Sequence, residues 1–95
     1  MTERTFQLAG EYDMANASEL ETSLLRLAHD GGHRSITVDA QQLEFIDSSG
    51  IAALLRVSEA MESDGCTLRV VNLPATTRRV LVALDLTERL GVDGR

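Results

Sequence analysis

Leu43-Glu44-Phe45-Ile46-Asp47-Ser48-Ser49-Gly50-Ile51-Ala52-Ala53-Leu54-Leu55 is the stretch on which the reading of the chain turns. An apolar approach meets a small polar turn, and an apolar run with helical spacing leaves it. Ile51, Leu54, Leu55, Ser58 and Met61 predict the buried stripe of a helix that starts at Ser49 or Gly50 and runs to about Asp64. Arg56, Glu59, Glu62 and Ser63 fall on its wet side, and Gly65 ends it. Ser48 then sits at or just before a helix N-terminus, where unpaired N–H groups favour a serine oxygen and favour a phosphate more. Asp-Ser-Ser ahead of a helix is also a good N-cap, so local chemistry alone leaves both readings open. Gly50 would leave the backbone open to close approach by another molecule.

Upstream, residues 4–9 alternate, with Phe6 and Leu8 on one face of a strand. Gly10-Glu11-Tyr12-Asp13 follows as a turn. Asn16 or Asp13 can cap a helix that runs to about Ala28 on Ala17, Leu20, Leu24, Leu27 and Ala28, and Asp30-Gly31-Gly32 stops it. Residues 35–40 form a second strand, with Ile36 and Val38 facing one way, and residues 41–46 lead out of it. Residues 67–72 form a third, with Leu68 and Val70 on one face and Val71 on the other. Pro74 takes the first position of a last helix that Val80, Leu81 and Leu84 continue, and residues 87–95 are a short tail. Strands alternating with helices predict an α/β fold, and connections too long for hairpins predict parallel pairing for several strands.

The 95 residues fit one domain, and 43% of them are hydrophobic. Phe6, Tyr12 and Phe45 are the only aromatic residues, so the core is aliphatic. No apolar run approaches the roughly 18 residues of a membrane span, and Met1-Thr2-Glu3-Arg4 runs straight into a strand pattern, unlike a signal peptide. The single cysteine, Cys66, has no internal disulfide partner, which suits a reducing, cytoplasmic setting. Nine basic against 15 acidic side chains give a net charge of −6, which disfavours nucleic acid.

In this order, three segments resemble the STAS domain family, specifically its anti-sigma factor antagonist (anti-anti-sigma factor) group. Gly10-Glu11-Tyr12-Asp13 resembles the family's Gly-Glu-aliphatic-Asp turn. Phe45-Ile46-Asp47-Ser48-Ser49-Gly50-Ile51 resembles its aromatic-aliphatic-Asp-Ser-Ser/Thr-Gly-Leu phosphorylation turn. Leu73-Pro74-Ala75-Thr76-Thr77-Arg78-Arg79-Val80-Leu81 resembles the Pro-containing start of its last main helix. Tyr12 replaces an aliphatic residue, Ile51 a leucine, and Asp85 stands before Leu86 where the family often has Gly; Asp tolerates a left-handed backbone better than most residues. The resemblance spans about residues 4–92 and implies a single STAS-like domain over 1–95, with a small mixed, mostly parallel β-sheet packed with α-helices.

The resemblance further implies that Ser48 is phosphorylated by an anti-sigma factor that is also a serine kinase. The unphosphorylated form would bind that kinase and free its sigma factor, and a serine phosphatase would reset the phosphorylated form. Asp13 and Asp47 would shape the polar site around Ser48, Ser49 would neighbour it and cap the helix, Gly50 would admit the partner, and Ile51 and Met14 would supply apolar contact. Ser49 is the alternative phosphoacceptor. No cofactor, metal or membrane is called for, and a monomer is expected.

Other classes fit less well. Acyl transfer by Ser48 needs an oriented base, but the only histidines, His29 and His33, read as surface residues at the end of the first helix and in the following loop. A Gly-x-Ser-x-Gly elbow, a phosphate-binding Gly-Lys loop and a metal-ligand pattern are all missing, so no enzyme is expected. A STAS scaffold or accessory subunit of a stress-sensing or lipid-transport complex is the alternative within the fold. Cys66 reads as a buried structural thiol. Arg78 and Arg79 open the last helix against its dipole and read as a solvated face, with attraction of an acidic partner the alternative.

Overall fold

A computed structural model of the chain describes residues 3–30 and 35–92. The two N-terminal residues, the expected Gly31-Gly32 stop, His33 and the last three residues of the tail lie outside them. Strands β1 (Glu3–Gln7), β3 (Ser35–Asp39) and β5 (Thr67–Val71) form a sheet in the order β1-β3-β5, and a shorter pair joins β2 (Gly10–Tyr12) to β4 (Leu43–Ile46). The parallel pairing expected for several strands extends to all of these pairs. Helices α1 (Ala17–His29), α2 (Ser48–Ser63) and α3 (Ala75–Ala83) complete the chain.

The register aligns Phe6 with Val38 and Val38 with Val70, and likewise Ile36 with Leu68, so the apolar members of each strand share one face. Ile36, Val38, Leu68 and Val70 are buried there. Thr5, Thr37 and Arg69 align on the other face, where Thr5 and Arg69 are exposed. Parallel sheets covered on both faces read as continuous apolar runs. This one alternates because the helices pack on one face, which is why period-two reading found its strands.

Residues 10–13 and 41–46 are corrections. The expected turn and lead-out are β2 and β4, a second parallel ladder reached by a bend in each strand. Leu8 N–H donates to Asp39 O at 2.9 Å and Gly10 N–H to Gln42 O at 3.0 Å, stitching the two ladders together. Gly10, at φ +86°, supplies the bend, and the register shifts between Gly10 and Glu11. Three- and four-residue strands are too short to announce a period.

Ala17, Leu20 and Leu24 bury α1. α2 is buried more widely than its expected stripe: Ala53 and Val57 are fully inside and Leu55 only half so. Pro74 stands one position earlier than expected, as the residue preceding α3. Of the three apolar residues that continue the helix, Val80 and Leu84 lie at the surface. They are 48% and 57% exposed, and α3 buries Leu81 alone. Cys66 is half-buried rather than internal, its Sγ facing Asp64 O at 3.7 Å.

As far as Val92, the expected tail is folded. Asp85 takes the left-handed conformation at φ 59°, where the family often has Gly. The chain then returns so that Leu90 is fully buried, Ser58 Oγ donates to Arg89 O at 2.7 Å, and Val70 N–H donates to Gly91 O at 3.0 Å. Gly91 (φ +62°) passes so close to β5 that a Cβ would lie 2.2 Å from Leu68 O. Asp39 anchors the turn into α3. Its Oδ1 accepts Asn72 Nδ2 and Gln41 N–H, each at 3.0 Å. The Asn72 amide first, then the Gln41 N–H and the Gln7 side chain, hold its pKa below the ordinary 3.8.

Two outcomes follow from these contacts. Leu90→Ala empties a fully buried site and should cost about 2–5 kcal/mol in urea unfolding, whereas a free tail would leave the midpoint unmoved. A depressed carboxylate pKa adds stability above the unfolded value, and that stability is lost as pH falls through the folded one. The urea midpoint of the wild type should therefore fall more steeply below the ordinary 3.8 than that of Asp39→Asn.

Candidate functional site

The site grows from the junction where β4 ends and α2 begins. Asp47 is extended at φ −100° and ψ −173°, and its Oδ1 accepts the N–H groups of Ser49 at 2.8 Å and Gly50 at 3.2 Å. Asp47 is therefore the N-cap, with Ser48, Ser49 and Gly50 the first helical residues. This corrects the expectation that Ser49 caps the helix. A short carboxylate satisfies two orphan amides and complements the helix dipole, which a neutral hydroxyl does less well. Asp47 N–H also donates to Tyr12 O at 3.0 Å, tying the cap to β2.

Asp13 organises the facing loop. Its N–H donates to Asn16 Oδ1 and its own Oδ1 accepts Ala15 N–H, both at 2.9 Å, while Asn16 Nδ2 reaches Glu11 O at 2.9 Å. The side chain of Asn16 thus closes the loop instead of capping α1. The turn leaves Met14 83% exposed.

Met14, Ala17, Ser18, Ser48, Ala52 and Arg56, with Ser49, line an open groove of about 580 Å³ between α1 and α2. Ser48, Ala52 and Arg56 recur every fourth residue along α2. At the far end Arg56 Nε meets Glu21 Oε1 at 2.8 Å. Small residues facing one another, Ala17 and Ser18 against Ser49 and Ala52, make the groove. A second hollow, of about 630 Å³, lies against Asp13, Met14, Ala15 and Asp47 and shares Met14 with the first. Ser48 is exposed and Ser49 half-buried. Among the described residues the Ser48 hydroxyl has no hydrogen-bond partner, so it is free to act as an acceptor of a transferred group or as a contact.

The expected site is thus partly assembled. Asp13, Met14, Asp47, Ser48 and Ser49 come together. Gly50 is buried, and a Cβ there would lie 2.5 Å from Ile46 Cγ1 and 3.2 Å from Tyr12 Cβ. Its role is to let α2 press against β4 and β2, not to open the backbone to a visitor. Ile51 is 8% exposed, within the core, and Met14 is left as the apolar contact. Sequence reading missed Ala17, Ser18, Ala52 and Arg56 as groove residues. Helical spacing from Ser48 points to Ala52 and Arg56, but Ala17 and Ser18 depend on how α1 packs. Among the described residues no group of three or more His, Cys, Asp or Glu side chains is placed to hold a metal ion, and His29 is exposed at the end of α1.

A family model described as "Mlab, STAS domain" matches residues 2–92, and the chain belongs to the STAS domain family. Among solved structures it resembles SpoIIAA, an anti-sigma factor antagonist, in its unphosphorylated form, with a TM-score of 0.80 and 21% identity over 100% of this chain and 84% of that one. The phosphorylated form of SpoIIAA, a Bacillus cell fate determinant, matches with a TM-score of 0.71 and 21% identity over 96% of this chain and 82% of that one. A sulfate transporter family protein from Wolinella succinogenes matches with a TM-score of 0.78 and 19% identity over 95% of this chain and 75% of that one. At such identities the likeness is one of fold, and the fold is the expected one.

The cap and the glycine each carry a testable cost. Asp47→Ala should lower stability by about 0.5–2 kcal/mol. Gly50→Ala sets a helix-propensity gain of about 1 kcal/mol against overpacking of about 1–3 kcal/mol on the stiff, β-branched Ile46. The net is destabilising, and a stabilised Gly50→Ala in urea titration would contradict the packing described.

Proposed function

We propose that the chain is an anti-sigma factor antagonist switched by phosphorylation of Ser48. The observation that carries this reading is the free, exposed Ser48 hydroxyl in the first turn of α2, opening onto a groove with an exposed methionine at its lip. In the unphosphorylated state the Met14–Ser48 groove receives an anti-sigma factor that is a serine kinase, and the sigma factor is released. A serine phosphatase restores the bound state. The chain is substrate and ligand in the cytoplasm, and the base and nucleotide belong to the kinase. The likeness to SpoIIAA in both states supports this reading.

The electrostatics suit a switch that needs no refolding. Phosphate adds about −1.5 to −2 charges. The helix N-terminus accommodates them within the domain. In a closed groove the same group adds bulk and a desolvation cost, beside the carboxylate of Asp47. A loss of about 2.7 kcal/mol is a hundredfold in affinity.

A second reading, an accessory subunit of a stress-sensing or lipid-transport complex, draws on the likeness to a sulfate transporter family protein. It keeps the groove for docking but makes Ser48 a contact and not a switch. Intact-mass analysis after incubation with ATP and candidate histidine-kinase-like anti-sigma factors of the same genome separates the two. We expect a single added phosphate, lost in Ser48→Ala and kept in Ser49→Ala, and kinase binding weakened about a hundredfold in the phosphorylated form. No phosphate with any candidate, while the unmodified chain binds another partner, would favour the accessory role.

A further inference from the structure

Arg56 is the only charged residue that lines the groove between α1 and α2. It follows Ser48 and Ala52 on the same face of α2, about 12 Å beyond Ser48 along the helix axis. Its side chain is 54% exposed, and its Nε alone is engaged, donating to Glu21 Oε1 at 2.8 Å. The two terminal nitrogens have no hydrogen-bond partner among the described residues, so the forked end of the guanidinium is left to water or to a visitor. The other end of the groove carries the opposite sign. Met14, at its lip, also borders the hollow against Asp13 and Asp47. A chain of net charge −6 thus sets one cation in its groove and keeps carboxylates at the far end.

We propose that Arg56 receives an Asp or Glu side chain of the protein that docks in this groove, and so fixes the direction in which that protein lies. The inference deepens the antagonist reading and rests on it, with the anti-sigma factor kinase as the partner. A guanidinium fork matches a carboxylate with two donors for two acceptors, which makes arginine the residue for this contact. Docking shields the pair from water, so it counts for more than the same pair on an open surface. Turned end for end, the partner would bring its acidic side chain beside Asp13 and Asp47, where like charges repel. The favoured direction sets that side chain about 12 Å from the residue that meets Ser48, the span of roughly two helical turns. Arg56 therefore acts on affinity and orientation, while Ser48 carries the switch. Glu21 works against the pairing, because its carboxylate offsets part of the charge of Arg56.

Calorimetric titration of the unphosphorylated chain with the ADP-loaded kinase that phosphorylates Ser48 tests the assignment. Arg56→Gln should weaken binding about tenfold and Arg56→Glu about a hundredfold. Glu21→Gln breaks the same ion pair but keeps the cation, and should bind at least as tightly as the wild type. Helix content by circular dichroism should match in all four proteins, since an exposed ion pair adds little to stability. If the pair only braced α1 against α2, Arg56→Gln and Glu21→Gln would weaken binding alike, and the proposal would fall. It would also fall if Arg56→Glu bound as tightly as the wild type to a kinase that still phosphorylates Ser48, a result that leaves the antagonist reading standing. No phosphorylation of Ser48 by any candidate kinase would remove that reading and this assignment together.

Discussion

The carboxylate of Asp47 is the contact on which the arrangement at Ser48 depends. Through Oδ1 it holds two free amides of the first turn of α2, those of Ser49 and Gly50, and through its own N–H it is fastened to Tyr12 on β2. Three elements therefore meet at one residue: β4 ends there, α2 starts there, and β2 runs alongside. Gly50 completes the junction, because any larger residue would push the helix off Ile46. With the helix start pinned in this way, Ser48 has nothing structural left to do, and its hydroxyl faces the groove between α1 and α2.

The fold was legible wherever one side of an element is buried and the other wet. Ile36, Val38, Leu68 and Val70 alternate because the sheet is covered on one face, and Ala17, Leu20 and Leu24 recur because α1 lies on a core. Reading failed where elements are short or where burial depends on distant chain. β2 and β4 were a turn and a lead-out because a few residues show no period. Leu90 was part of a tail because its burial depends on Ser58 and Val70, far away in sequence. Val80, Leu81 and Leu84 marked the continuation of the last helix, but their spacing did not say which of them is covered, and α3 rests on Leu81 alone.

At the site, the motif around Asp47 and Ser48 was legible from its composition, but the division of labour within it was not. A cap can come from an aspartate or a serine, and only the backbone geometry assigns it to Asp47. Glycine can mark open space or close packing, and for Gly50 it is packing. The residues across the groove, Ala17 and Ser18, carry no signal at all, since alanine and serine on a helix say nothing until a second helix is laid beside them.

All the strand pairs described are parallel, and that has a consequence for time. A parallel partner is separated from its neighbour by a whole crossover, so no hairpin can form early and seed the sheet. β1 must wait for β3, and β3 for β5, with loop-closure entropy met before the ladders return anything, which places such a chain among the slower folders of its size. Ser48, by contrast, stands at the surface of the finished sheet-and-helix layer. Chemistry on its hydroxyl can be made and removed at the pace of an encounter, without the chain ever revisiting the slow assembly beneath it.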